Sequence, residues 1–139
     1  MILLDTSGLF AFVNKPDPHY EAIERVLADD PGPFVLSPFV LAELDYLLGT
    51  RAGTGRELTV LREVAAGAYE IAPFDSADVA TAAAVIDRYR ELRIGLADAS
   101  IVVLAGRHRT NRVLTLDERH FRALRTPAGE RFTILPADA

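Results

Sequence analysis

Two hydrophobic rhythms alternate along the chain. Short apolar runs bounded by polar or turn-forming residues occur at Ile2–Leu4, Phe34–Leu36, Tyr69–Ala72, Arg112–Leu116 and Phe132–Leu135. Runs this short and this apolar predict buried strands. Between them, apolar residues recur every three to four positions, the spacing of a helix with one buried face. The first such stretch follows Asp5 and carries Leu9, Phe10, Phe12 and Val13. Asp17-Pro18 predicts a helix start with proline in the first turn, for a helix bearing Ile23, Val26 and Leu27 that stops before Pro31-Gly32-Pro33. Ser37-Pro38 opens a helix with Val40, Leu41, Leu44, Leu47 and Leu48. Thr54 and Glu57 predict a capping box for a helix through Leu58, Leu61 and Val64 that ends at Gly67. Residues 76–93 predict a long alanine-rich helix, Ala97–His108 a strongly apolar one and Glu118–Leu124 a short one.

Strands separated by helices predict an α/β fold with a parallel sheet covered on both faces. The chain shows no repeat, and its loops are short, so one domain over residues 1–139 is expected. In such folds ligands bind beyond the carboxyl ends of the strands. That rule directs attention to what stands there.

Composition narrows the chemistry. Without cysteine, disulfides, thiol catalysis and cysteine-based zinc sites are excluded. No apolar run approaches the roughly 18 residues of a membrane span. The amino terminus has no basic segment before its first carboxylate, which argues against a signal peptide and for the cytoplasm. Net charge is −5 but unevenly spread: residues 1–85 carry 13 acids against 5 bases, and residues 86–139 carry 7 against 10. A mildly basic carboxyl-terminal half could face an anionic partner. Lys15 is the one lysine, and an arginine-for-lysine bias of this kind also accompanies a GC-rich genome.

Four acids fall at informative places. Asp5 and Asp117 end the first and fourth predicted strands, and each precedes a helix, so each is either a helix cap or a group at the sheet edge. On a helical projection Glu43 lies within about 60° of Val40 and Leu47 on one side and of Phe39 and Tyr46 on the other, inside an apolar stripe, whereas Asp45 falls on the solvated face. A carboxylate in that position needs a partner, a metal or a route to water. Asp98 starts a helix that is apolar nearly all round, where the helix dipole also favours an acid. Brought together at one sheet edge, four carboxylates repel, and some of their pKa values must rise. A divalent cation resolves the conflict. Oxygen donors without cysteine favour Mg²⁺ or Mn²⁺ over Zn²⁺. Such an ion can activate water and steady the charge of a phosphodiester under attack.

The runs Leu4-Asp5-Thr6-Ser7, Ser37-Pro38 leading to Ala42-Glu43-Leu44, Ala97-Asp98-Ala99 and Thr115-Leu116-Asp117 closely resemble, in order, the four acidic motifs of PIN domains. The length resembles the VapC toxins of type II toxin–antitoxin pairs. The resemblance implies a three-layer α/β/α sandwich with a central parallel β-sheet and an Mg²⁺- or Mn²⁺-dependent endoribonuclease. It implies cleavage of a structured RNA of translation, transfer or ribosomal, leaving 5′-phosphate and 3′-hydroxyl ends. Carried over by position, Asp5, Glu43, Asp98 and Asp117 are the catalytic and metal-holding quartet. Thr6 and Thr115 match hydroxyl residues that orient carboxylates. A homodimer and a cognate VapB-type antitoxin that covers the acidic cleft are implied as partners.

Other residues carry weaker signals. Arg107, Arg109 and Arg112 flank the fourth strand, and Arg119, Arg122 and Arg125 follow Asp117. They are candidates for RNA phosphate contacts or for a solvated face. His19, His108 and His120 are scattered. A metal-free ribonuclease could use two of them as acid and base, but His120 reads as a surface residue. A receiver domain would need a late lysine, and a haloacid-dehalogenase-type phosphatase would need an acid at Ser7; both are absent. A non-catalytic module whose acidic cleft docks a basic peptide, and a nuclease with another nucleic-acid target, remain as alternatives.

Overall fold

In the computed structural model, which describes residues 1–139, all the expected strands form. They are β1 (Ile2–Leu4), β2 (Phe34–Leu36), β3 (Glu70–Ile71), β4 (Arg112–Leu114) and β5 (Thr133–Leu135). Every pairing is parallel, in the order β3-β2-β1-β4-β5. The helices are α1 (Thr6–Phe12), α2 (Tyr20–Asp29), α3 (Pro38–Arg51), α4 (Thr54–Ala65), α5 (Ser76–Arg88), α6 (Leu96–His108) and α7 (Glu118–Ala123).

The order dictates the layers. From β1 to β3 the chain winds outward on one side, and after β3 it returns to lay β4 against the other side of β1. Right-handed crossovers then put the two sets of helices on opposite faces, giving the α/β/α sandwich. Burial agrees: Ile2, Leu3 and Leu4 on central β1 are inaccessible, while Glu70 and Ile71 on edge strand β3 are exposed. One continuous cluster of 32 buried apolar residues fills the interior. In α6, every residue from Ala99 to Ala105 is buried, as its all-round apolar sequence requires.

The reversal of winding between β1 and β4 has a chemical consequence. Helices leave these neighbouring strands in opposite directions, which opens a crevice at their carboxyl ends. Asp5 follows β1 there, and Thr115 and Asp117 follow β4. The two segments approach closely because residue 8 is glycine. A Cβ at Gly8 would lie 2.8 Å from the Leu114 carbonyl oxygen, so a side chain there would push α1 off β4.

Several boundaries differ from the sequence expectation. Helix α2 starts at Tyr20, because Asp17 closes a local turn by accepting the His19 N–H at 2.7 Å instead of capping a helix. The Thr54–Glu57 capping box does not form. Gly53, at φ 91°, is the cap, so Thr54 already lies inside α4. Glu57 reaches back to α3 and shares a hydrogen bond with Asp45, which holds its pKa above the usual carboxylate range. The box forms at Asp75 and Asp78 instead, each accepting the other's backbone N–H at 3.0 Å. Helix α5 ends at Arg88, and a 3₁₀ turn over Arg90–Leu92 leads to Arg93 in the left-handed region. The end of α4 is as expected, with Gly67 at φ 95° and the Ala68 N–H bonded to the Glu63 carbonyl.

Candidate active site

A cleft of about 300 Å³ lies over the β1–β4 crevice. Asp5, Thr6, Ser7, Glu43, Leu47, Gly95, Ala97, Asp98, Asp117 and His120 line it. All four predicted acids are therefore together, and no lysine or arginine is among the lining residues.

Asp5 is the floor. It is 5% exposed, and its side chain makes no cap bond to α1. It accepts instead from the Thr115 hydroxyl at 2.7 Å and the Ser7 hydroxyl at 3.2 Å. Those hydroxyls form a ladder between the two strand ends. Ser7 Oγ accepts the Leu116 N–H at 3.0 Å, Thr115 Oγ1 accepts the Asp117 N–H at 2.9 Å, and the two oxygens stand 3.2 Å apart. Burial pushes the Asp5 pKa up and the charge of Glu43 adds to it, against the lowering effect of the Thr115 hydroxyl, the Thr6 backbone and the Ser7 hydroxyl.

Asp117 is both a cap and a cleft residue. One oxygen accepts the His120 N–H at 3.0 Å, and the other stands 2.9 Å from His120 Nδ1. Asp98, in the first turn of α6, lies 3.0 Å from the same ring nitrogen. Burial, then the charge of Asp5, raises the Asp98 pKa to about 7, with Asp117 adding and His120 opposing. The buried Ser37 and Ser100 hydroxyls, 2.6 Å apart, tie the start of α3 to this turn of α6.

Glu43 reaches the cleft by a different route from the one its helical projection suggested. The buried row of α3 is Val40, Leu44 and Leu48. Glu43 stands beside that row and is exposed, and Tyr46 is 69% exposed, so Phe39 and Tyr46 do not form a core face. Asp45, placed on the solvated face by the projection, is half-buried against α4. Helix α3 packs on α1, α4 and α6, which displaces its buried face from the apolar average.

Two cleft residues carry more than their sequence context indicated. Ser7 makes the contacts to Asp5, while the neighbouring Thr6 hydroxyl is buried with no partner. His120 is not a surface residue: its ring is largely buried between Asp98 and Asp117. The available signal was its position three residues after a capping acid, which returns its side chain toward the cap. His19 pairs with Asp17 at 3.0 Å, and His108 has a buried Nε2 without a partner; neither lines the cleft, so no acid–base pair of histidines is assembled.

The candidate arginines lie outside the cleft. Arg107 donates to the Pro73 carbonyl at 2.6 Å and pairs with Asp78 at 2.7 Å. Arg112, at the start of β4, pairs with Asp30. Arg122 holds Glu118 at 2.8 Å and Asp138 at 2.7 Å. Arg125 donates to carbonyls at the end of α7. Arg109 and Arg119 are exposed.

The donor set fits a divalent cation. Four carboxylates face one space without a basic counter-charge from lysine or arginine, two have raised pKa values, and the Thr6 hydroxyl beside them lacks a partner. Asp98, Asp117 and His120 each offer a ligand atom within 4.8 Å of the others.

Comparison with known proteins agrees with this geometry. The family model described as PIN domain matches residues 2–126. Ribonuclease VapC26 of Mycobacterium tuberculosis is 47% identical over 135 residues, covering 97% of this chain and all of that protein. Among solved structures, the sarcin–ricin-loop-cleaving toxin VapC20 of M. tuberculosis superposes with a TM-score of 0.77 at 20% identity, over 84% of this chain and 90% of that one. A DNA-bound VapBC complex from Salmonella typhimurium gives 0.66 at 23% identity, over 96% and 98%.

Proposed function

Because the chain belongs to the PIN-domain family, in its VapC ribonuclease branch, we propose that its acidic cleft is the active site of a cation-dependent endoribonuclease toxin. The target is a structured RNA of translation, transfer or ribosomal, and a VapB-type antitoxin restrains the enzyme. The observation that carries this reading is the convergence of Asp5, Glu43, Asp98 and Asp117 on one cleft with no lysine or arginine to neutralise them.

Bound in the cleft, Mg²⁺ or Mn²⁺ would activate the attacking water and offset the charge of the phosphodiester. Asp5, Asp98 and Glu43 would hold the cation, with Asp117 completing the site. The protein's part is preorganisation. Thr115 and Ser7 hold the Asp5 carboxylate with two hydroxyl donors, and the backbone turn after β4 fixes Thr115 in turn. Capping fixes one Asp117 oxygen and leaves the other toward the cleft. Glu43 stands at the exposed mouth, where RNA phosphate would enter. The antitoxin has a clear electrostatic task, since a basic side chain entering this cleft would neutralise the same acids. A homodimer acting in the cytoplasm belongs to the same reading.

The test incubates antitoxin-free protein with total cellular RNA, with Mg²⁺ or Mn²⁺ and then with EDTA, and maps fragment ends by sequencing. Discrete cation-dependent cuts with 5′-phosphate ends are expected, and they would name the substrate. A folded protein that cuts nothing with either ion would make the cleft a docking site for a basic peptide.

A further inference from the structure

We propose that His120 is a direct nitrogen ligand of the cation and makes this cleft prefer Mn²⁺ to Mg²⁺. The inference deepens the nuclease reading and rests on it. Among the lining residues His120 carries the one imidazole, and the other charged donors are all carboxylates. Its Nδ1 stands 3.0 Å from an Asp98 oxygen and 2.9 Å from an Asp117 oxygen. Neighbouring donors around an octahedral ion with bonds of about 2.1 Å are about 3 Å apart. The ring nitrogen thus stands at coordination-shell spacing from both carboxylates, and the three candidate ligand atoms lie within 4.8 Å of one another.

Local structure keeps the ring there. His120 is in the first turn of α7, its own N–H is held by Asp117 at 3.0 Å, and its side chain is 21% exposed. With a hydrogen on Nδ1, the ring can donate to the Asp98 carboxylate, and the Asp117 oxygen stands beside the same nitrogen. Coordination uses the tautomer with hydrogen on Nε2, whose Nδ1 lone pair faces the space between the two carboxylates. A second observation points to a ligand in this cleft: Thr6, one of its lining residues and 3% exposed, has a buried hydroxyl with no partner. Imidazole nitrogen binds transition ions well and Mg²⁺ poorly, so a nitrogen donor biases an otherwise oxygen site toward Mn²⁺.

The experiment reads metal binding directly, with antitoxin-free protein and no RNA. Electron spin-echo modulation of the Mn²⁺ complex reports a coordinated ¹⁴N, and calorimetry gives Mn²⁺ and Mg²⁺ affinities. Wild type should show imidazole nitrogen coupling and bind Mn²⁺ at least about tenfold more tightly than Mg²⁺. His120→Ala and His120→Asn should lose the coupling, with Mn²⁺ affinity falling about tenfold and Mg²⁺ affinity far less. Absence of ¹⁴N coupling in wild type overturns the proposal whether or not the variants fold. So does an equal loss of both ions, which would make His120 a positioning residue for its neighbouring carboxylates. Cation-dependent RNA cleavage alongside either result would leave the nuclease reading standing, whereas a wild type that binds neither ion would remove both.

Discussion

The two edges of the sheet treat the same side chain in opposite ways. At the amino edge, Asp30 is 5% exposed and meets Arg112, the chain's amino terminus and the Gly32 N–H. Burial alone would raise its pKa, but those partners outweigh it and hold the carboxyl below the usual range. At the carboxyl edge, Asp5 and Asp98 are also sheltered, yet their charged neighbours include other acids, and both pKa values are raised. One edge satisfies its acid internally. The other keeps its acids in conflict, which costs stability and leaves a site that a divalent cation would complete under the proposed function. The difference separates an internally paired carboxylate from those we propose to be functional, without reference to the residue type.

The largest expected effect follows from breaking the unsatisfied edge. Asp98→Asn or Glu43→Gln should lower RNA cleavage by about a hundredfold or more, as loss of a cation-holding group removes several kcal/mol of transition-state stabilisation. Circular dichroism should show an intact fold in both. Breaking the satisfied edge should do the reverse. Asp30→Ala strands Arg112 and the amino terminus and should cost about 2 kcal/mol in denaturant unfolding, with cleavage by the folded fraction retained.

The pH dependence sharpens the contrast. An acid whose pKa is raised in the folded state holds its proton longer when folded. Its contribution therefore falls as pH rises from the ordinary value of 3.8 toward about 7 for Asp98. Asp30 has the opposite sign: its contribution is present above the ordinary value and lost as pH falls through its lowered one. In the absence of divalent ions, Asp98→Asn should flatten the decline in melting temperature between roughly pH 4 and 7, while Asp30→Asn should flatten the acid limb. The smallest effect belongs to the exposed pairs. Arg122→Ala should leave the melting temperature nearly unchanged and the cleavage rate unaltered, since its exposed guanidinium serves Glu118 and Asp138.

Much of this was legible in the chain. The strands were, because a buried parallel strand needs an uninterrupted apolar run, and Ile2–Leu4, Phe34–Leu36 and Thr133–Leu135 supply one. Strand-end acids followed from the same runs. Cap positions were less legible: Gly53 and Asp75 took roles that local pattern gave to Thr54 or to no residue, because a left-handed glycine moves a boundary by one residue. Glu43 was singled out through an apolar stripe that the fold does not use, since packing on three helices set the buried row at Val40, Leu44 and Leu48. Ser7 and His120 were hidden because their partners lie on other segments, at Leu116 and Thr115 for Ser7 and at Asp98 for His120. Long-range hydrogen bonds leave no periodic trace in sequence. The arginines of the carboxyl-terminal half were open to two readings in sequence, RNA contact or a solvated face, and Arg107, Arg112 and Arg122 pair with acids that are distant in sequence or one turn away.

The most direct test makes the same substitution at both edges. Asp5→Asn and Asp30→Asn each exchange one buried carboxylate for an amide, and both proteins can be assayed beside wild type on one RNA with Mn²⁺. The account predicts that Asp5→Asn, still folded, loses cleavage, while Asp30→Asn keeps it at reduced stability. Undiminished cleavage by Asp5→Asn would contradict the assignment of the cleft as the active site.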